Sequence, residues 1–412
     1  MVRQKTSSEY IFFITLLLLF QGITAVMSTR ITGLMAILLI VISAFYCYYA
    51  NSCYKLPKAL KLLTVLIVIF TVYGVLLILS GKSLIIKESG DSMPNKKYLV
   101  DLLMSLLPIF PFFVFTKRGN ITDKSMVKLF FVFLTIAVIS YVKARTTGLE
   151  RALETNQYAT DVTNNSGYVI LSLLPFIVFF ERRPVLRYTL LAFISILVLY
   201  SIKRGSILIL VFCLMFYLPR ALKNAGKATR IITVLVIGAV GYYAYNYITD
   251  FIADHSFFAT RLELMQEGDL QARSGIWIGI IEAFFDANPF QMLFGRGAWA
   301  TLEVSSNLAH NDWLEIITNQ GLIGVFIFAY FWYTFYRAWR RSKQSYTLFM
   351  IMGLLFITHF TRTFFSMSIS AMPIYANCLI GYAFARYTEL YVPSKSVIER
   401  ISQTTTAHVS IT

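Results

Sequence analysis

The sequence predicts an all-α, polytopic integral membrane protein. Of its 412 residues, 57% are hydrophobic and 14% are charged, and the mean hydropathy is +0.65. These values are typical of membrane proteins and exclude an ordinary soluble domain. About twelve apolar segments are long enough, or suitably placed, to cross a membrane as helices.

The predicted spans follow one another along most of the chain. The first comes after Arg3 and Lys5, as in a signal peptide, but no small-residue cleavage site follows it. A second span begins within a few residues, so we interpret the first as a membrane anchor. In order, the spans are predicted at residues 10–27, 31–50, 60–80, 98–115, 126–142, 167–180, 188–202, 206–219, 231–248, 321–336, 346–360 and 369–385.

The placement of charges predicts the orientation of these spans. If the N-terminus is cytoplasmic, every cytoplasmic segment is rich in Lys and Arg, whereas most Asp and Glu residues fall on the other side. This asymmetry follows the positive-inside rule and predicts that both termini are cytoplasmic. The chain then divides into a nine-span membrane domain at 1–249, a large, partly helical outer loop at 250–320, a three-span membrane domain at 321–388 and a flexible cytoplasmic tail at 389–412.

The charge and the cysteines exclude several classes of partner. The formal net charge of +16 comes from short basic clusters between apolar runs, with no basic stripe or arm, so nucleic acid is not an expected partner. The four cysteines form no outward pair and no metal-ligand spacing, and there is no phosphate-binding glycine loop or dinucleotide fingerprint. No metal or nucleotide cofactor is therefore predicted.

The first polar feature is His310, where the large outer loop meets the tenth span. Helical spacing would put His310, Ile317, Gly321 and Gly324 on one face, where the glycines would allow another helix to approach closely. On spacing alone, an incidental histidine at a polar helix start explains the pattern equally well.

The second feature is the Lys203–Arg204 turn between the seventh and eighth spans. About fifteen residues separate this turn from Arg187 on one side and from Arg220 on the other. Each helix would cover about 22 Å, which is less than a hydrocarbon core of about 30 Å. The turn is therefore predicted to lie below the outer surface, where buried cations commonly line a substrate path. Local membrane thinning with both side chains snorkelling outward is the alternative.

The third feature is the outer loop at 250–320. Apolar residues recur at helical spacing from Trp277 to Phe285, and Arg273 falls on the same apolar face instead of the solvated one. Arg273 could contact a substrate there, or it could snorkel from an interfacial helix toward lipid headgroups.

A fourth segment, the predicted outer loop at 143–166, contains Arg145, Arg151 and Asn165. Its cationic and amide groups would suit contacts with sugar or phosphate. They would equally suit an ordinary hydrated loop.

These motifs together resemble the O-antigen ligase and O-antigen polymerase superfamily of bacterial envelope enzymes. The resemblance covers about residues 150–380, and Lys203 stands where that family commonly has serine. The matching elements are His310-Asn311 followed by Gly321 and Gly324, Arg204-Gly205, Arg273 with Trp277, Asn288-Pro289-Phe290, Gly295-Arg296-Gly297 and Asn164-Asn165.

The resemblance implies that a glycan is transferred from undecaprenyl diphosphate to an acceptor hydroxyl at the periplasmic face of the inner membrane. Arg204 and Arg273 are the expected diphosphate contacts, because guanidinium groups are permanently charged, planar donors for phosphate oxygens. His310 is the expected proton acceptor, since an imidazole with the ordinary pKa of about 6.5 is largely neutral at neutral pH. Secondary substrate-binding candidates are Lys203, Asn311, Arg296, Arg145, Arg151, Asn165 and Arg362.

The expected partners follow from the same resemblance. They are an undecaprenyl-diphosphate-linked donor, an acceptor that is either a glycan or the lipid A core, membrane lipid, and other polysaccharide-assembly proteins. A polymerase of O-antigen or capsular repeat units is favoured over a ligase by a general likeness of the 310–324 segment. A secondary transporter or flippase is the more distant alternative, although the sequence has no evident internal repeat.

Overall fold

The computed structural model describes residues 7–26, 30–82, 84–85, 92–154, 166–201, 203–223, 271–305, 308–369 and 371–391, with single positions at 226, 231, 238 and 242. The predicted ninth span, the first part of the large outer loop and residues 392–412 of the predicted tail lie outside the described residues, apart from those single positions.

Within these residues the fold is helical apart from one small β pairing. Leu84–Ile85 (β1) pairs antiparallel with Ser92–Met93 (β2). Two 3₁₀ segments lie at Leu174–Phe180 and Ser342–Gln344. The α-helices are α1 Ser8–Val26, α2 Arg30–Cys53, α3 Lys58–Ser80, α4 Asn95–Leu106, α5 Ile109–Lys117, α6 Asp123–Glu154, α7 Ser166–Leu171, α8 Pro184–Tyr200, α9 Arg204–Lys223, α10 Gln271–Phe285, α11 Pro289–Phe294, α12 Ala300–Ser305, α13 Asp312–Arg341, α14 Tyr346–Phe365 and α15 Ile374–Tyr391.

Eight of the described helices are long and apolar enough to cross a membrane, as expected for a polytopic membrane protein. They correspond to the predicted spans one to five, eight, ten and eleven. The sixth and seventh predicted spans are the shorter apolar helices Ser166–Phe180 and Pro184–Tyr200. Large apolar side chains remain exposed on the outer faces, such as Leu34 at 69% and Leu79 at 76%. Lipid would cover such faces in a membrane.

Two predicted spans are interrupted. The fourth is divided into α4 and α5 at Leu107 and Pro108, because proline lacks the N–H that would continue the helix. The sixth passes from α7 into a 3₁₀ segment that contains Pro175.

The first half of the outer loop predicted at 143–166 is helical. α6 continues without a break to Glu154, so Arg145 and Arg151 lie on a helix. The 32 residues of α6 would extend about 48 Å, which exceeds a hydrocarbon core of about 30 Å. The last turns of α6 would therefore project beyond the membrane.

The twelfth predicted span begins later than expected. Ile369 lies in the loop before α15, which begins at Ile374. α15 is buried around nearly its whole circumference and packs most closely on α5, where a Cβ on Gly381 would lie 2.5 Å from the carbonyl oxygen of Ile109. α15 is thus a central helix of the bundle, enclosed by protein instead of lipid.

The bundle has two chemically different ends. α7, α9 and α13 begin where α14 terminates, and we call this the His310 end. At the opposite end, Arg118 pairs with Glu9 at 2.7 Å and the Tyr382 hydroxyl donates to Asp123 at 2.5 Å. The last turns of α9 and α13 add Arg220, Lys223, Arg340 and Arg341 to that opposite end.

Candidate functional site

The start of α13 is fixed by Asn311. Its backbone is extended, and its side-chain oxygen accepts hydrogen bonds from the N–H groups of Trp313 at 2.9 Å and Leu314 at 3.3 Å. This is the standard capping arrangement for a helix N-terminus. Its Nδ2 donates to the carbonyl of Phe364 on α14 at 3.4 Å. The structure therefore gives Asn311, a predicted substrate contact, a structural role.

A buried carboxylate holds the segment before α13. Glu315 is 5% exposed and accepts hydrogen bonds from the Ala309 N–H at 2.7 Å and the Thr301 hydroxyl at 2.8 Å. These bonds fold the chain back onto the first turn of α13, so Ala309 and Asn311 are both fixed. His310 lies between them.

His310 is exposed, and its backbone has φ of +50°. Residues other than glycine seldom adopt a positive φ of this kind, and those that do cluster at functional sites. The fixed neighbours on both sides maintain the conformation. As a result, the imidazole is displayed at the surface of the His310 end instead of on the face of a helix.

Gly321 interrupts α13 about two and a half turns after it begins. Its φ of +67° and ψ of −164° are not helical. A Cβ at this position would lie 2.5 Å from the backbone nitrogen of Gly295 and from the carbonyl group of Leu293. The prediction that Gly321 permits a close approach is confirmed, but what approaches is the turn after α11. His310 and Gly324 therefore do not share one continuous helical face, and that part of the prediction is wrong.

The turn after α11 is joined to α13 by its backbone. The N–H of Arg296 donates to the Thr318 carbonyl at 2.8 Å, and that of Gly297 donates to the Asn319 carbonyl at 3.1 Å. The side chain of Arg296 donates from Nη2 to the carbonyl of Ala283, near the end of α10, at 2.5 Å. Arg296, a secondary substrate candidate, thus joins the turn after α11 to α10 and to α13.

α10 lies beside the His310 turn. Trp277 donates from Nε1 to the carbonyl of Ala309 at 2.9 Å, directly before His310. Arg273 is about one turn earlier on the same helix, so its backbone is close to this contact, while its side chain lies outside the described residues. Only part of the predicted apolar face is buried, since Ile280 is 1% exposed but Ile281 and Phe285 are 46% and 70% exposed.

The Lys203–Arg204 turn packs against α7. Ser201 and Ser206, on either side of it, are fully buried, and their hydroxyls are 3.3 Å apart. A Cβ on Gly167 would overlap the Ser201 hydroxyl, so α7 touches the turn directly. Lys203 is half-buried, and the side chain of Arg204 and all of Asn165 lie outside the described residues.

Gly205 brings the beginning of α9 into contact with two other elements. A Cβ at Gly205 would overlap the Tyr168 hydroxyl and would lie 3.1 Å from the Cβ of Phe365. α7, α9 and the end of α14 are therefore in direct contact at Gly205, the residue after Arg204.

Arg362 lies within this meeting point. It is 5% exposed, its guanidinium carbon is 4.7 Å from the centre of the Tyr168 ring, and Nη2 donates to the Met367 carbonyl at 3.2 Å. The Asp312 carboxylate, on α13, accepts from the N–H of Ser368 at 2.9 Å and from that of Ile369 at 3.3 Å. These two charged residues together fix the loop between α14 and α15.

The remaining candidates are less closely connected to the site. Arg145 is half-buried on α6, and the side chain of Arg151, further along α6, lies outside the described residues. All four cysteines are free, and only Cys53 is exposed. In the part of the chain that the structure describes, no group of three or more His, Cys, Asp or Glu residues is arranged to hold a metal ion.

Sequence reasoning did not identify the buried contacts that shape this region. The predicted site residues did not include Tyr168, Thr301, Asp312, Trp313 or Glu315. An acidic residue in the first turn of a helix is common for electrostatic reasons, so the sequence does not reveal that these carboxylates are buried.

No protein-family model matches the sequence, and no curated protein sequence matches it.

Proposed function

We propose that this protein transfers a glycan from a membrane-embedded lipid diphosphate to an acceptor hydroxyl. The observation that carries the proposal is the convergence of three elements with cationic candidates near an exposed histidine. α9 begins at Arg204, α10 contains Arg273 one turn before the Trp277–Ala309 bond, and α14 ends just after the buried Arg362. His310 projects from the same end of the bundle.

The arrangement suits group transfer in which the leaving group is a diphosphate. The acceptor oxygen attacks the anomeric carbon of the glycan, and the bond between that carbon and the diphosphate oxygen breaks. The electron pair stays with the diphosphate, whose added charge arginine side chains can stabilise in a partly dry site. His310 takes the proton that the acceptor hydroxyl loses.

The distribution of charge supports a periplasmic location for this chemistry. The opposite end of the bundle contains the basic ends of α5, α9 and α13, which the positive-inside rule assigns to the cytoplasm. In the proposed function, the protein therefore resides in a bacterial inner membrane with both termini cytoplasmic, and its His310 end faces the periplasm.

Within this function we favour polymerisation of O-antigen or capsular repeat units. The donor would be an undecaprenyl-diphosphate-linked glycan and the acceptor a second repeat unit, with other polysaccharide-assembly proteins as partners. Transfer to the lipid A core would make the protein a ligase. The two reactions differ in what accumulates when the enzyme is lost.

A deletion strain tests the proposed function and distinguishes a polymerase from a ligase. Loss of the gene should leave single-repeat products on gels if the protein is a polymerase, and intact chains on carrier lipid if it is a ligase. Complementation with the wild-type gene should restore the original pattern, whereas His310→Ala should not, at equal protein abundance in the membrane.

Lys82→Gln is a suitable control for this complementation. Lys82 is exposed at the same end of the bundle and forms a surface ion pair with Glu303, which typically contributes about 1 kcal/mol or less. It should complement fully. Unchanged envelope glycans in the deletion strain would refute the proposed function.

A further inference from the structure

Arg362 carries buried hydrogen-bond donors that no described residue accepts from. Within the part of the chain that the structure describes, its Nε and Nη1 atoms are buried without a hydrogen-bond partner, and only Nη2 donates, to the Met367 carbonyl. Among the described residues, Arg362 forms no ion pair within 4.0 Å. Buried arginine donors are costly to leave unpaired, so such groups usually mark the position of a bound ion or ligand. Arg362 also belongs to α14, one of the helices long and apolar enough to cross a membrane, and ionisable residues in such helices commonly mark functional sites.

The unpaired guanidinium lies close to the N-terminus of α9. Arg362 packs over one face of the Tyr168 ring, and the Tyr168 hydroxyl rests directly on Gly205. One tyrosine ring thus separates Arg362 from the first turn of a 20-residue helix. Helix N-termini present backbone N–H groups and a partial positive charge, which together favour anions.

Other buried polar atoms near Arg362 are also unpaired. His359, one turn earlier on α14, is 1% exposed, and neither of its ring nitrogens has a hydrogen-bond partner among the described residues. The hydroxyl of Ser368 is likewise buried without a partner in the described ranges. Residues three apart on a helix share a face, so His359 and Arg362 present polar groups to the same side of α14.

The nearby Asp312 carboxylate accepts no hydrogen bond from Arg362. Asp312 accepts from the N–H groups of Ser368 and Ile369, and these bonds orient it toward the loop before α15. A carboxylate beside the arginine weakens its attraction for an anion, so binding depends on the donors that Asp312 leaves unused. The Nε and Nη1 donors stay available.

We infer that Arg362 and the N-terminus of α9 form a buried anion site that binds a phosphate group of a lipid-linked diphosphate. The identity of the lipid rests on the proposed function. A lipid-linked diphosphate and a soluble diphosphate both carry the phosphate group that this site would bind.

Ligand-induced thermal stabilisation of the full-length protein in detergent tests the site without requiring transfer. The probes are farnesyl diphosphate, inorganic pyrophosphate and farnesol. The variants are Arg362→Gln, which can still donate to the Met367 carbonyl, and Arg337→Gln as the control, because Arg337 is exposed toward the opposite end of α13. Arg362→Lys keeps the charge but removes the planar fork of donors. Gel filtration verifies that each variant is folded.

Farnesyl diphosphate should stabilise the wild type and Arg337→Gln. Loss of a charge-assisted contact should weaken binding by Arg362→Gln about tenfold to a hundredfold, with Arg362→Lys between the two. Stabilisation by pyrophosphate at equal concentration would support the anion site and assign it a soluble ligand.

Two results would overturn the inference. The first is equal binding of farnesyl diphosphate by Arg362→Gln and the wild type. The second is equal stabilisation by farnesol and farnesyl diphosphate, which would show that only the apolar chain is recognised. The proposed function fails separately, if diphosphate binding depends on Arg362 but the deletion strain keeps normal glycans.

Discussion

Replacing Gly321 with alanine should destabilise the protein strongly. The new side chain would have to adopt φ of +67° with ψ of −164°, a region that is essentially restricted to glycine and costs other residues about 1–3 kcal/mol. Its Cβ would also lie 2.5 Å from the backbone at Leu293 and Gly295, and backbone atoms cannot yield as the end of a flexible side chain can. Overpacking adds about 1–3 kcal/mol, so the free energy of unfolding should fall by about 2–6 kcal/mol.

A matched glycine provides the control for this measurement. Gly33 is within α2, where a Cβ would meet nothing within 4 Å, so Gly33→Ala should be neutral or stabilising by up to about 1 kcal/mol. Thermal unfolding in detergent, followed by fluorescence-detected gel filtration, compares both variants with the wild type. If Gly321→Ala melts at the same temperature as Gly33→Ala, the proposed docking of the turn after α11 on α13 is wrong.

Three further substitutions test separate contacts by the same melting assay. Gly205→Ala should destabilise through overlap with the Tyr168 hydroxyl, and adding Tyr168→Phe should recover part of the loss; no recovery would contradict the contact. Glu315→Ala should cost about 1–3 kcal/mol, because the buried N–H of Ala309 loses its acceptor, and an unchanged melting temperature would show that this bond is not formed. Arg118→Gln breaks a partly exposed ion pair and removes a guanidinium that lies 4.9 Å from the centre of the Tyr49 ring, so the loss should stay below about 2 kcal/mol, and a larger loss would contradict this sum.

Much of the membrane architecture could be predicted because apolar length is a direct physical requirement for crossing a bilayer. α1, α2 and α3 agree with their predicted spans to within a few residues. Predictions failed where burial inside the protein replaced contact with lipid. α15, for example, is enclosed by other helices, and its start is set by the loop that Asp312 fixes.

The candidate site was predictable as a set of segments but not as a set of contacts. The His310 pattern predicted the start of a long apolar helix, and α13 begins two residues after His310; positive φ explains Gly321. The role of Asn311 as a cap and of Arg296 as a link depends on hydrogen bonds between segments that are distant in sequence. Such bonds cannot be derived from spacing. The Arg362–Tyr168 contact joins residues almost two hundred positions apart for the same reason.

The most direct test is transfer by the purified, reconstituted protein. Supplied with an undecaprenyl-diphosphate-linked glycan and an acceptor glycan, the wild type should form a new glycosidic bond and release undecaprenyl diphosphate. His310→Ala should reduce that rate about 10²- to 10⁴-fold, the usual contribution of a general base, while still binding the donor. Movement of the intact lipid-linked glycan across the membrane, with no new bond formed, would contradict the account.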